Sequence, residues 1–173
     1  MINELLCSRR SIRKYEARGI EKEKIDSILQ CALMAPSSRG IRPWEFISVD
    51  DKGTLQKLSL CKQHGASFLA GAPLGIVIAA DPEKCDVWTE DASIAAVIIQ
   101  LAAQSLGLGS CWIQVRNRFH PDGLPAEEYI KQVLGMPSGL KVECIISIGY
   151  PAEEKNSIEK NGLLCNKIHI NKY

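Results

Sequence analysis

Two rhythms run along this chain, a three-to-four-residue recurrence of apolar positions and short, nearly unbroken apolar runs. From Glu21 to Met34 the residues Ile25, Ile28, Leu29, Ala32 and Leu33 fall on one face with charges opposite, which predicts an amphipathic helix. It should stop at Ala35-Pro36, because proline pushes the residue before it out of the helical region. The loop Pro36 to Pro43 then opens into a strand-like run, Trp44 to Val49, and Thr54 to Cys61 reads as a short helix. Leu74 to Ala80 is a continuous apolar strand ended by Asp81-Pro82. Thr89 offers an N-cap hydroxyl with Glu90 and Asp91 behind it, which predicts the start of a helix rich in alanine that ends at Gly107. Small residues all round that helix suit a central position, closely packed by neighbours. Ser110 to Val115 reads as a strand, Ala126 to Leu134 as a helix and Val142 to Gly149 as the last strand. Helices and strands mix without strict alternation, so the expected class is α+β. The polar tail after Pro151 is expected to be extended.

Length and composition narrow the picture. A chain of 173 residues is expected to form one domain, large enough to fold without disulfides or a structural metal. With 46% hydrophobic and 24% charged residues it is neither disordered nor a long coiled coil. A net charge of +1 gives no global reason to expect nucleic acid or an anionic membrane as partner. Seven cysteines without a C-x-x-C pair read as reduced thiols, several inside apolar runs. The N-terminus lacks the apolar core of a signal peptide, and the apolar stretch Ala92 to Leu106 is too short and too polar to span a bilayer. A cytoplasmic protein is expected.

Several kinds of chemistry drop out. There is no phosphate-binding G-x-x-x-x-G-K-[ST], and Gly107-Leu108-Gly109 lacks the third glycine of a dinucleotide fingerprint. His64, His120 and His169 show no metal-ligand spacing, so no metal is expected. Three segments remain. Ser8 to Lys14 concentrates four cations and two hydroxyls, and arginine suits phosphate through its planar fork of donors. Arg9, Ser11 and Arg13 alternate, so an extended backbone would project them to one side; a solvated basic segment is the simpler alternative. Pro36-Ser37-Ser38-Arg39-Gly40 offers hydroxyl and backbone donors, or is an ordinary turn. Gly109 to Gln114 could set an apolar wall and a backbone donor beside an aromatic ligand, or could simply be core.

Taken in order, the motifs resemble the FMN-dependent nitroreductase family in its short, single-domain form. The likeness runs from about Arg9 to Lys155. It comprises Arg-Arg-Ser-x-Arg-x-Tyr, Ala-Pro-Ser-Ser before Pro-Trp-Glu-Phe, Ala72-Pro73 before a strand, the alanine-rich helix, Leu-Gly-Leu-Gly-Ser-Cys-Trp-Ile, and Ile-Gly-Tyr-Pro. The resemblance implies a central mixed sheet flanked by helices, in an intertwined homodimer with two FMN sites built from both chains. It implies that Arg9, Arg10, Ser11 and Arg13 hold the phosphate, ribityl chain and pyrimidine edge, with Arg13 stabilising the negative charge of reduced flavin. Pro36, Ser37 and Ser38 would come from the other subunit. Trp112, Ile113 and Gln114 would line the ring, the Gln114 N–H reaching N5. Lys160, or else Lys155, would stand for the family's tail cation.

The chain departs from the family pattern at Gly40 and Arg42, where an asparagine and a glutamine are usual, and at Gln114, often glycine in the short branch. The implied activity is NAD(P)H-driven, ping-pong reduction of nitroaromatics, quinones or similar electron-poor acceptors, with no protein acid or base. Alternatives on the same scaffold are reductive dehalogenation, flavin breakdown, or a flavin-binding module with little turnover. A nucleic-acid arm at the N-terminus is disfavoured by the acidic stretch from Asp81 to Asp91.

Overall fold

The computed structural model describes residues 1–173, Lys160 by its backbone alone. Four strands form one sheet in the order β1-β2-β4-β3: β1 (Trp44–Val49), β2 (Leu74–Ala80), β3 (Gly109–Gln114) and β4 (Lys141–Gly149). Helices α2 (Lys22–Leu33) and α4 (Trp88–Ser105) cover one face, and α3 (Lys52–Leu58) and α5 (Ala126–Leu134) the other. The period of two along β2 makes this possible. Leu74, Ile76 and Ile78 face the α2–α4 layer and Val77 and Ala79 the α3–α5 layer, and all seven residues of the strand are buried. The alanines of α4 let it lie close on the sheet: Ala92, Ala95, Ala96 and Ala103 are fully buried.

The class is α+β, but the mixed sheet is corrected: within the chain every strand pairing is antiparallel. β2 and β3 do run in the same direction, but β4 inserts between them and opposes both. Among the described residues the parallel pairing is an isolated bridge between Ser11 and Ser110.

β1, β2 and α5 coincide with their predicted spans. α3 starts two residues early because Asp51, not Thr54, is the cap; its carboxylate accepts the Thr54 N–H at 2.7 Å. α4 starts at Trp88, so Thr89 lies inside the first turn and caps nothing. The tail is not simply extended, since it contains short 3₁₀ turns at Lys160–Gly162 and Cys165–Lys167. A first helix, α1 (Ile2–Ser8), was not foreseen: Ile2, Leu5 and Leu6 recur at helical spacing, but the helix has only seven residues and none of them is fully buried. No helix among the described residues is long and apolar enough to cross a membrane.

Candidate functional site

β3 is an edge strand, and what lies along its free edge defines the site. The Ser110 carbonyl accepts the Ile12 N–H at 3.0 Å, so Ser110 points outward from the sheet. Alternation then turns the main-chain groups of Trp112 and Gln114 the same way and those of Cys111 and Ile113 toward β4. Lys62 confirms the parity, its ammonium donating to the Gln114 carbonyl at 2.9 Å. The Gln114 N–H therefore opens onto the free edge.

The N-terminal segment lies along this edge because two facing glycines leave room for it. Gly109 and Gly149 are partners in the β3–β4 register. A Cβ on Gly109 would stand 2.8 Å from the Cβ of Ile12, and one on Gly149 would stand 2.7 Å from the Tyr15 ring and 2.6 Å from Pro73. Tyr15 donates its buried hydroxyl to the Ile12 carbonyl at 2.6 Å and lies 2.7 Å from the Ser147 hydroxyl; burial pushes its pKa up. The chain after β4 returns antiparallel beside the segment, with the Ala152 N–H on the Lys14 carbonyl and the Ile158 N–H on the Cys7 carbonyl.

Arginines gather here without matching acids. Among the described residues Arg9, Arg10 and Arg13 pair with no carboxylate. The Arg10 guanidinium donates to the Asn156 carbonyl, and that of Arg13 lies 5.7 Å from the centre of the Phe68 ring. Glu153 pairs with Lys155 at 3.7 Å and is otherwise committed to the backbone. It accepts the Arg13 N–H at 2.6 Å and the Lys14 N–H at 3.2 Å, and the first of these bonds most strongly holds its pKa below the usual carboxylate range. Lys155 donates to the Ser11 carbonyl at 2.8 Å. Arg13, Arg9 and Lys155 all act on the Cys111 thiol, whose pKa is nevertheless pushed up by burial.

Of the two tail lysines, Lys155 therefore stands in the cluster, while the side chain of Lys160 lies outside the described residues. Ile113 needs a correction. Its side chain is wholly buried in the α3–α5 layer, because the pleat turns it away from its neighbours Trp112 and Gln114, so it cannot line a ligand ring. Trp112 and Gln114 are half-buried and joined to each other, the indole N–H donating to the Gln114 side-chain oxygen at 2.9 Å.

The serine loop is held elsewhere. The Ser38 N–H donates to the buried Asp91 carboxylate at 2.8 Å, and the Ser37 hydroxyl accepts the Arg42 N–H at 2.9 Å. Arg39, Gly40 and Arg42 have φ of 54°, 68° and 53°. Glycine suits this left-handed region, and the two arginines store backbone strain of the kind found at ligand clamps. Asp91 sits in the first turn of α4, whereas Gln104, near its other end, donates to the Ser8 hydroxyl at 3.2 Å. Thirteen residues at 1.5 Å each put these anchors about 20 Å apart. One chain does not bring its serine loop to its own arginine cluster.

Sequence reasoning missed Glu153, Asp91, Lys62 and Phe68. Only Asp91 left a trace, read with Glu90 as a first-turn acid of the alanine-rich helix.

An edge strand with free amides, flanked by unpaired arginines, is suited to a protein that holds an anionic, planar cofactor. Comparison with known proteins agrees. The Nitroreductase family model matches residues 6–63 and 55–150. An FMN-dependent nitroreductase from Clostridium difficile R20291 superposes with a TM-score of 0.97 at 57% identity, all of both chains being covered. A protein of Archaeoglobus fulgidus whose provisional name is NADH dehydrogenase/NAD(P)H nitroreductase is 39% identical over 163 residues, 90% of this chain and 88% of that one. The NADPH:FMN oxidoreductase of Vibrio harveyi, complexed with NAD+, shares the fold, with a TM-score of 0.82 at 24% identity, covering 99% of this chain and 77% of that one. The chain belongs to the nitroreductase family. It is an enzyme, an oxidoreductase.

Proposed function

We propose that this oxidoreductase binds FMN and uses NAD(P)H to reduce electron-poor acceptors such as nitroaromatics and quinones, with ping-pong kinetics. The observation that carries the reading is the outward Gln114 N–H on an edge strand bordered by arginines without acid partners. These groups fit FMN, which presents an anionic phosphate, a polyhydroxy chain and a ring nitrogen that accepts a hydrogen bond. When bound, FMN would supply the redox chemistry between the nicotinamide and the acceptor.

The chain's own residues bind and orient. Arg9 and Arg10 hold the phosphate with the Ser11 hydroxyl, helped by the charge of Lys155. Arg13 would serve the pyrimidine edge, where its fixed cation would favour the negative charge of reduced flavin. The Gln114 N–H would hold the N5 edge, with Trp112 beside it. Pro36, Ser37, Ser38, Gly40 and Arg42 serve the site of a second copy, because their own cluster is about 20 Å away along α4.

The enzyme is therefore a homodimer of single-domain subunits, residues 1–173; the tail stays on its own chain as far as Ile158, not leaving it at residue 152 as expected, and the part beyond lies on the partner. Exposed apolar side chains support this: Met34, Ile94 and Val97 near the serine loop and α4, and Leu164, Ile168 and Ile170 in the tail. Seven free thiols suit a reducing cytoplasm.

The test is Arg13→Ala. Loss of a charge-assisted bond should weaken FMN binding about ten-fold or more and slow reduction by NAD(P)H. Unchanged flavin content and an unchanged rate would remove the N-terminal cluster from the site.

A further inference from the structure

We propose that Glu143 is a positioning residue that clamps the end of β3 and thereby aims the Gln114 N–H, an inference that rests on the flavin reading above. Three independent features converge on it. The first is a bulge in β4. Ile78 of β2 pairs with Cys144 and the next residue, Ala79, with Val142, so Glu143 is the extra residue passed over in the register. A bulge re-aims the side chain it carries. Here the result is a carboxylate with 6% exposure, paired with the Arg116 guanidinium at 3.1 Å.

The second feature is in the main chain. The Glu143 carbonyl accepts both the Val115 N–H at 3.2 Å and the Arg116 N–H at 3.1 Å. Two consecutive donors on one acceptor end the β3 ladder immediately after Gln114. The third is the Gln114 side chain, whose amide donates to the Arg116 carbonyl at 3.1 Å while its oxygen takes the Trp112 indole N–H at 2.9 Å. Arg116 is thus held by Glu143 through its guanidinium and its N–H, and its carbonyl holds Gln114. With both ends of the turn fixed, Gln114 keeps its main-chain groups on the free edge of the sheet.

Buried carboxylates are costly to keep, and a strand end can be closed without one. What the ion pair adds is a single orientation of residues 112–116, the part of β3 that meets the ligand. The Gln114 side chain is what links Trp112 to this clamp.

The experiment compares wild type with Glu143→Ala and Glu143→Gln, the latter keeping an acceptor for the Arg116 Nε–H. In protein without added FMN, exchange of the Val115 and Arg116 amides, which donate to the Glu143 carbonyl, should quicken about ten-fold or more in Glu143→Ala while β2 keeps its protection. In FMN-loaded protein the visible band of the flavin should shift. Reduction by NAD(P)H should slow about ten- to a hundred-fold, with FMN affinity within about three-fold of wild type, the pattern of misplacement and not of lost binding. Glu143→Gln should recover most of both properties. Unchanged exchange and an unchanged flavin band in Glu143→Ala would overturn the clamp. Loss of protection in β2 and β4 as well would overturn it too, by showing a merely structural role. A wild-type protein that takes up no FMN would overturn the flavin reading itself, and with it the purpose assigned to Glu143.

Discussion

Gly109→Ala should unseat the arginine cluster without touching a charge. A Cβ at this position meets the Cβ, Cγ1 and Cγ2 of Ile12 at 2.8, 2.8 and 2.9 Å. Carbon atoms pack best at about 3.5–4.0 Å, so the overlap is roughly 1 Å on three atoms. Rotating Ile12 about χ1 moves the γ carbons but leaves its Cβ where it is, so the backbone of the N-terminal segment has to lift. That lift strains the 3.0 Å bond from the Ile12 N–H to the Ser110 carbonyl, and overpacking plus a weakened hydrogen bond cost about 2–3 kcal/mol. For a chain of this size the melting temperature should fall by about 5–10 °C. Ser11 and Arg13 flank Ile12, so FMN affinity should also fall, by about ten-fold or more. Ile12→Ala removes the two γ contacts but not the Cβ contact, so in the double variant it should rescue only part of the loss. Thermal unfolding and FMN titration read the two effects separately. A Gly109→Ala protein with wild-type melting temperature and flavin affinity would refute the close-approach argument.

The fold was readable where hydrophobic burial and turn chemistry agree. β1, β2 and α5 follow from their apolar runs and the residues that end them. Boundaries moved where a cap or a bulge, which no periodicity encodes, takes over: Asp51 ahead of α3 and the paired Val115 and Arg116 donors at the end of β3. α1 was missed because its apolar face spans only seven residues and stays largely exposed within one chain. Ser11 and Arg13 were readable through their motif, and the structure sets them on the edge strand. The role of Gln114 depends on strand parity, which the spacing of Gly109 to Gln114 only suggests. Glu143 could not be read, because its side chain is placed by a one-residue bulge that follows from strand register. Lys155 is brought beside Ser11 by the return of the chain along residues 7–16, a long-range pairing that the tail's composition does not announce.

Further predictions follow from buried polar groups. Asp91→Ala strips the acceptor from the Ser38 N–H and from the Cys85 thiol, which should destabilise the protein by about 1–3 kcal/mol and weaken FMN binding; wild-type melting and flavin content would show that the serine loop needs no anchor. Stability should fall at alkaline pH, because burial pushes the Cys61 thiol up to about 11 and those of Cys111 and Cys144 also upward. A raised folded-state pKa means the stabilisation is complete below the unfolded value of about 8.5 and is lost as pH rises toward 11, at about 1.4 kcal/mol per pH unit for one thiol. Urea midpoints at pH 8 and pH 10.5 should therefore differ, and by less in Cys61→Ala; a wild-type midpoint that does not move would contradict this.

The most direct test of the account is the visible spectrum of the purified protein, before and after anaerobic addition of NADH and then NADPH. A yellow protein that releases FMN on denaturation and bleaches rapidly with at least one nicotinamide is the predicted result. A yellow protein that neither nicotinamide bleaches would contradict the reductase half of the account, and a colourless protein that takes up no added FMN would contradict the site itself.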